Sequence, residues 1–135
     1  MSLNLIKLCV GCDSVEELRA WRAERARRGI APIVPTRQTP KRAAELLDGG
    51  SLYWVIKGVI LVRQPIVKIV TLESGVQPCR IDLAPELILT VPQPRRPFQG
   101  WRYLDAKDTP PDLPTDEGAE TPQELARQLR EIGAW

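Results

Sequence analysis

The stretch LYWVIKGVILVRQPIVKIV, residues 52–70, decides the fold because it is rich in the β-branched and aromatic residues that favour strands. Its three apolar runs, 52–56, 59–62 and 66–70, predict two or three strands. Gly58 permits a bulge or a sharp bend, and Pro65 fits only an edge, a bulge or the start of a strand. These breaks predict a curved antiparallel sheet or a small β-barrel.

The residues before this stretch predict one strand and two helices. Apolar residues in 3–10 form an opening strand that ends at Gly11. Ser14 and Glu17 form a capping box, which predicts a helix that runs to Arg28 and stops at Gly29. A second, short helix is expected from Thr39-Pro40 to Asp48-Gly49-Gly50. The predicted inward residues are Val15, Leu18 and Trp21 of the first helix, which leaves Arg19, Arg22, Arg25 and Arg28 outside, and Ala43, Leu46 and Leu47 of the second.

The residues after the stretch predict further strands and a separate tail. Residues 79–83 alternate as in a strand with one wet face, residues 84–91 suit either a buried strand or a helical turn, and residues 98–104 predict a final strand. We therefore expect a single α+β domain over residues 1–104. Residues 105–120 are rich in Asp and Pro and predict a mobile linker, and residues 121–135 predict an amphipathic helix that needs a surface to cover.

Length and composition favour one globular domain. The chain has 135 residues, 43% of them hydrophobic and 27% charged, which suits one core and excludes general disorder. No secretory signal is recognisable, and the most apolar region is interrupted by charges and a proline, so no membrane span is expected. These features predict a cytoplasmic protein whose three cysteines are reduced.

Charge is distributed unevenly along the chain. Residues 1–104 carry 16 Lys and Arg against 9 Asp and Glu, a net charge of +7, whereas residues 105–135 carry 3 against 8, a net charge of −5. This asymmetry is consistent with a surface that binds polyanions, with a tail that shields that surface, or with a simple requirement for solubility.

The chain lacks residues that several kinds of catalytic site and metal site require. The chain has no histidine, which excludes Ser-His-Asp and Cys-His arrangements. Cys9-Val10-Gly11-Cys12 has the spacing of a redox or metal motif, but three cysteines without histidine do not supply four zinc ligands, so ordinary buried cysteines are the favoured interpretation. We therefore predict no catalytic residue, no metal site and no cofactor.

A basic and aromatic segment near residue 100 is the candidate binding surface. Guanidinium groups bind phosphates and aromatic rings stack on bases, and prolines in 92–97 keep the backbone extended. The alternative is that these aromatic residues fill the core and the arginines line its rim. The predicted nucleic-acid-binding residues are Arg95, Arg96, Trp101 and Arg102, joined on the same sheet by Tyr53, Lys57, Arg63 and Gln64.

Three segments, 4–11, 49–58 and 93–104, resemble a bacterial family of unknown function, number fourteen-eighty-nine of the unknown-function series. That resemblance covers residues 3–104 and implies no activity. A second similarity concerns the helix that ends in glycine and leads into a strand reaching Arg63. This arrangement resembles the PUA-like group that includes ASC-1-homology domains, which implies a small β-barrel with flanking helices and, for many members, binding of RNA or modified bases.

Three functional hypotheses follow. The first is a small α+β domain that binds RNA or another nucleic acid through its basic and aromatic face. The second is a protein-interaction module that docks through the C-terminal helix or a sheet edge. The third is a small-molecule enzyme without a catalytic histidine, which requires a pocket with perturbed carboxylates.

Overall fold

The computed structural model describes residues 3–71, 78–96, 98 and 100–113. The helix predicted for residues 121–135 and the linker residues 114–120 lie outside this part of the chain. Residues 106–108 form one turn of 3₁₀ helix. In chain order the main elements are β1 (Leu3–Leu8), α1 (Val15–Arg27), β2 (Ile33–Thr36), α2 (Ala43–Leu47), β3 (Ser51–Ile56), β4 (Val59–Thr71), β5 (Cys79–Leu83), β6 (Ile88–Pro94) and β7 (Trp101–Asp105).

The strands form one mixed sheet. Their order is β2-β5-β4-β3-β1-β7, and β6 pairs with β4 beside this path. β1 and β3 run parallel, and α1, β2 and α2 form the long connection that a parallel pair requires. The other pairs are antiparallel. The predicted α+β class with a curved sheet is confirmed. Over the described residues the sheet is mixed and does not close into a barrel.

β4 is the longest strand and joins two predicted strands into one. Its first part pairs with β3 and β6, and its second part pairs with β5. Pro65 lies where the pairing changes partners, opposite Ser51. Three register shifts in the pairings of β4, beside Trp54, between Ile60 and Val62, and between Ile66 and Lys68, mark bulges or irregularities that bend the strand. The Lys57-Gly58 turn between β3 and β4 has positive φ at both residues.

Helix α1 begins at the predicted cap. The Ser14 hydroxyl accepts a hydrogen bond from the Glu17 amide at 3.1 Å. The Glu17 carboxylate accepts from the Asp13 amide at 2.8 Å, one residue before the position expected for a capping box. Gly29 follows the helix with a φ of +74°, as the C-terminal signal predicts.

The inward face of α1 differs from the prediction at two neighbouring residues. Val15 and Leu18 are buried as expected, but the third buried residue is Arg22, and Trp21 is 43% exposed. The Arg22 guanidinium carbon lies 5.8 Å from the ring centroid of Trp54, which belongs to the core. A cation–π contact therefore accompanies burial of the arginine stem, which hydrophobicity alone does not predict.

Helix α2 starts later than its sequence suggests. It begins at Ala43 with Arg42 as its N-cap, not at Pro40, and it has only five residues. Leu46 is fully buried whereas Leu47 is 42% exposed, contrary to the prediction that both face inward. A helix of little more than one turn has room for one large side chain against the sheet.

Hydrophobic clusters cover both faces of the sheet. The larger one packs α1 and α2 on one face, and the smaller one lies on the opposite face around Ile6, Tyr53 and Leu104. Successive strand residues point to opposite faces, so β3 contributes to both clusters and all six of its residues are buried. No helix in the described part of the chain is long and apolar enough to cross a membrane.

Candidate nucleic-acid interface

Strand β7 carries two predicted residues, and it presents them on opposite faces. Trp101 and Tyr103 point to the face that holds the helices, where their rings pack edge to face with centroids 5.0 Å apart. Trp101 Nε1 donates to the Gln38 carbonyl oxygen at 3.1 Å, and the Arg42 amide donates to the Tyr103 hydroxyl at 3.1 Å. Both rings therefore join β7 to the loop before α2.

The arginine groove lies on the other face of β7. It has a volume of about 480 Å³. The Arg102 guanidinium carbon lies 5.7 Å from the ring centroid of Phe98. Because no acidic side chain is among its described lining residues, the groove favours anions. Its lining residues are Ile6, Pro94, Arg95, Arg96, Phe98, Arg102, Tyr103 and Leu104.

Two of these arginines differ in how tightly they are held. Arg95 donates from Nη2 to the Gln93 side chain at 2.8 Å and to the Asp108 carbonyl at 3.0 Å. Arg96 is exposed. Arg95 is therefore oriented by the fold, and Arg96 presents its charge to solvent.

A second cleft, the lysine cleft, lies between β7 and the loop after β2. It has a volume of about 540 Å³, and its lining includes Thr36, Arg37, Gln38, Trp101 and the groove residue Arg102. Its other lining residues are Lys7, Pro35 and Gly100.

Lys7 is a half-buried cation in this cleft. Burial lowers its pKa because desolvation disfavours the charged form. Sequence reasoning missed Lys7 and Arg37. The available signal was the alternation of side chains, since Lys7 interrupts the inward series that Leu3 and Leu5 begin on β1 and that Cys9 continues just after it.

Two predicted site residues lie inside the protein. Gln64 is fully buried, accepts from Trp54 Nε1 at 2.9 Å and donates to the Ala84 carbonyl at 2.9 Å. Tyr53 is 6% exposed, and burial raises its pKa against the opposing effect of a hydrogen bond to Thr109. Neither side chain lines the two basic depressions.

The remaining two predicted residues, Arg63 and Lys57, line neither basic depression. Arg63 makes a two-pronged ion pair with Asp112, with both N–O distances 2.9 Å, and also donates to the Ser51 hydroxyl. Lys57 is exposed in the β3–β4 turn, where the Gly58 carbonyl accepts from the Arg95 amide at 2.8 Å. This bond places Lys57 close to Arg95 of the arginine groove. The charge of Arg63, in contrast, is paired with that of Asp112.

All three cysteines are free thiols, and Cys9 and Cys79 are buried. Burial and the adjacent Cys12 raise the pKa of Cys9 to about 12, so its thiol stays protonated at neutral pH. The described residues contain no group of three side chains able to hold a metal ion.

Comparison with known proteins identifies a family and nothing further. A family model described as Protein of unknown function (DUF1489) matches residues 5–135. The match extends past the segments that carried the resemblance, to the C-terminus. No curated protein and no solved structure matches the chain.

Proposed function

The chain belongs to the DUF1489 family of unknown function, and we propose that it binds single-stranded nucleic acid, with RNA as the expected ligand, across strand β7. The observation that carries this proposal is the pair of basic depressions that flank β7. The arginine groove and the lysine cleft share Arg102, and their described linings contain no acidic side chain. A phosphate backbone lying along either depression meets cations and no like-charged carboxylate.

Aromatic side chains accompany the cations in both depressions. Phe98 lies under Arg102 in the arginine groove, and Trp101 lines the lysine cleft. Rings beside a cationic track are typical of proteins that stack the bases of single strands. Unpaired, unstacked bases are the usual target of such surfaces in RNA.

Exposed arginines provide the test that least disturbs the fold. We predict that Arg96→Ala combined with Arg102→Ala weakens binding of a fluorescently labelled single-stranded RNA by about tenfold and reduces the slope of log affinity against log salt by about one to two. Fluorescence anisotropy across a salt series measures both quantities. Arg95 is left in place because its bonds to Gln93 and Asp108 also hold the chain together.

The matched control removes two cations elsewhere. Arg27 and Lys68 are exposed and line neither depression. Arg27→Ala with Lys68→Ala should therefore leave affinity nearly unchanged. Equal loss in both double variants, salt-independent binding, or no binding at micromolar protein would reject the proposal.

Docking of a protein partner is the second candidate, and one observation favours it. β7 forms one end of the sheet and pairs only with β1 among the described residues, which leaves an edge to which an extended peptide can add. Main-chain pairing depends little on salt. Capture of a protein whose binding persists in high salt and in the Arg96→Ala, Arg102→Ala variant would favour this candidate over RNA.

A further inference from the structure

A third depression, the α1 groove, lies against helix α1 and has a mixed chemistry. Its volume is about 320 Å³. Three arginines line it, Arg19, Arg22 and Arg25, and no acidic side chain lies among its described lining residues. The rest of the lining is apolar and comes from α1, from the loop that follows it, and from Pro85 and Leu87 before β6. Such a surface fits an amphipathic segment that carries negative charge.

Arg22 is the least solvated cation of this groove. It is 9% exposed, and its Nε has no hydrogen-bond partner although the atom is buried. Its guanidinium carbon lies 5.3 Å from the ring centroid of the neighbouring Trp21, which is itself 43% exposed. Among the described residues this buried cation pairs with no acid, so a further anionic and apolar element would complete its surroundings.

The last described residues, 111–113, run toward this groove. Residues 111–113 run antiparallel to β6, with the Val91 amide bonded to the Pro111 carbonyl and the Leu113 amide bonded to the Leu89 carbonyl, both at 2.9 Å. Thr90 and Asp112 form an antiparallel bridge between these bonds. The direction of this pairing points toward Leu87, which lines the groove and lies two residues before Leu89, about 7 Å away in extended chain.

The rest of the sequence has the complementary composition. Residues 114–135 contain five Asp and Glu against two Arg, of which three acids lie in 114–120, while 121–135 carry Glu124 and Glu131 against Arg127 and Arg130. Residues 121–135 have the pattern of an amphipathic helix, with Leu125, Leu129 and Ile132 on one side. The intervening residues 114–120 can span about 23 Å when extended.

We propose that residues 121–135 pack on the α1 groove of their own chain. Leu125, Leu129 and Ile132 cover its apolar residues, and Glu124 and Glu131 face the three arginines. The segment then covers the basic helix α1. This proposal does not depend on RNA binding.

Limited proteolysis of the full chain with chymotrypsin tests the packing, because the enzyme cleaves after Leu125 and Leu129. An isolated helix of this length is marginally stable in water, so slow cleavage requires docking. We expect Arg19→Glu with Arg25→Glu to raise the cleavage rate at both leucines by about tenfold, measured by mass spectrometry of the fragments. Adding Glu124→Arg and Glu131→Arg to that variant should restore protection at least in part.

The matched control reverses charge outside the groove. Arg27→Glu with Lys68→Glu should leave cleavage at Leu125 and Leu129 unchanged, and circular dichroism verifies that each variant is folded. Fast cleavage in the unmodified chain, or equal rates in both double variants, overturns the proposal. Protection that rises with protein concentration together with a dimeric mass also overturns it, because the segment then docks on a second copy.

Discussion

Arg63 and Asp112 form an ion pair that joins the long strand β4 to the segment after β7. The two parallel N–O contacts of 2.9 Å have the fork geometry in which arginine binds carboxylates most strongly. The arginine is the more buried partner, with 22% of its side chain exposed against 46% for the aspartate. The pair therefore anchors Asp112, within the predicted linker 105–120, to the sheet.

The pH dependence of the free energy of unfolding in the acid range should show the contribution of this ion pair. The Arg63 guanidinium holds the pKa of Asp112 below its ordinary value, so the pair stabilises the fold above about pH 4 and its contribution is lost as pH falls through the lower folded pKa. We predict that Asp112→Asn lowers the free energy of unfolding by about 1 kcal/mol at pH 7. Urea unfolding at several pH values measures this difference, which should shrink below pH 4.

The exposed Asp13 before α1 supplies the comparison. Asp13→Asn keeps the amide that bonds Glu17 and should change stability little at any of these pH values. A deficit of Asp112→Asn that stays constant down to pH 2 would contradict the assignment.

At the junction of α2 and β3 the surrounding backbone leaves no room for a side chain on Gly50. A Cβ on Gly50 would lie well inside contact distance of the carbonyl oxygens of Leu3 and Leu46. Both are backbone atoms, one in β1 and one in α2, and neither can turn aside as a side chain can. Gly50 is therefore needed for the close approach of three elements.

We predict that Gly50→Ala lowers the free energy of unfolding by about 3 kcal/mol, because β1 or α2 must shift. Gly29→Ala is the control, since nothing lies within 4 Å of its Cβ position and only its φ of +74° opposes the substitution. That control should cost about 1 kcal/mol. Equal losses for the two variants in urea unfolding would show that the junction has room to relax.

Stability should be distributed across the molecule according to the order of the sheet. β3 lies between β1 and β4 and all six of its residues are buried, whereas β2 and β7 end the sheet. Buried backbone amides in central strands exchange their hydrogens only when the whole protein unfolds. Amides in edge strands also exchange through local opening of the sheet.

Hydrogen exchange of the intact protein should therefore be slowest in residues 52–56 and faster in β2 and β7. Peptide-resolved mass spectrometry measures the order. Exchange in β7 as slow as in β3 would mean that its outer edge is covered, and would favour a partner strand there.

Local signals predicted much of this fold. The capping box at Ser14 and Glu17 and the positive-φ position at Gly29 involve neighbours in sequence, so α1 follows from them. The β-branched stretch 52–70 predicted strands for the same reason, since propensity and alternation are local. The basic character of the segment near residue 100 could also be predicted, because charge follows directly from the amino-acid composition.

Long-range packing decided the rest. Whether Trp21 or Arg22 faces inward depends on Trp54, and whether Gln64 is surface or core depends on Ala84, residues distant in sequence. The entry of Lys7 into a cleft likewise requires β7 to pair with β1. Helix α1, the α+β class and the charge of each segment could be predicted from the sequence, because these depend on neighbours along the chain. Strand β2, the joining of two predicted strands into β4 and the cations that share a groove could not, since these depend on strand pairing between residues far apart.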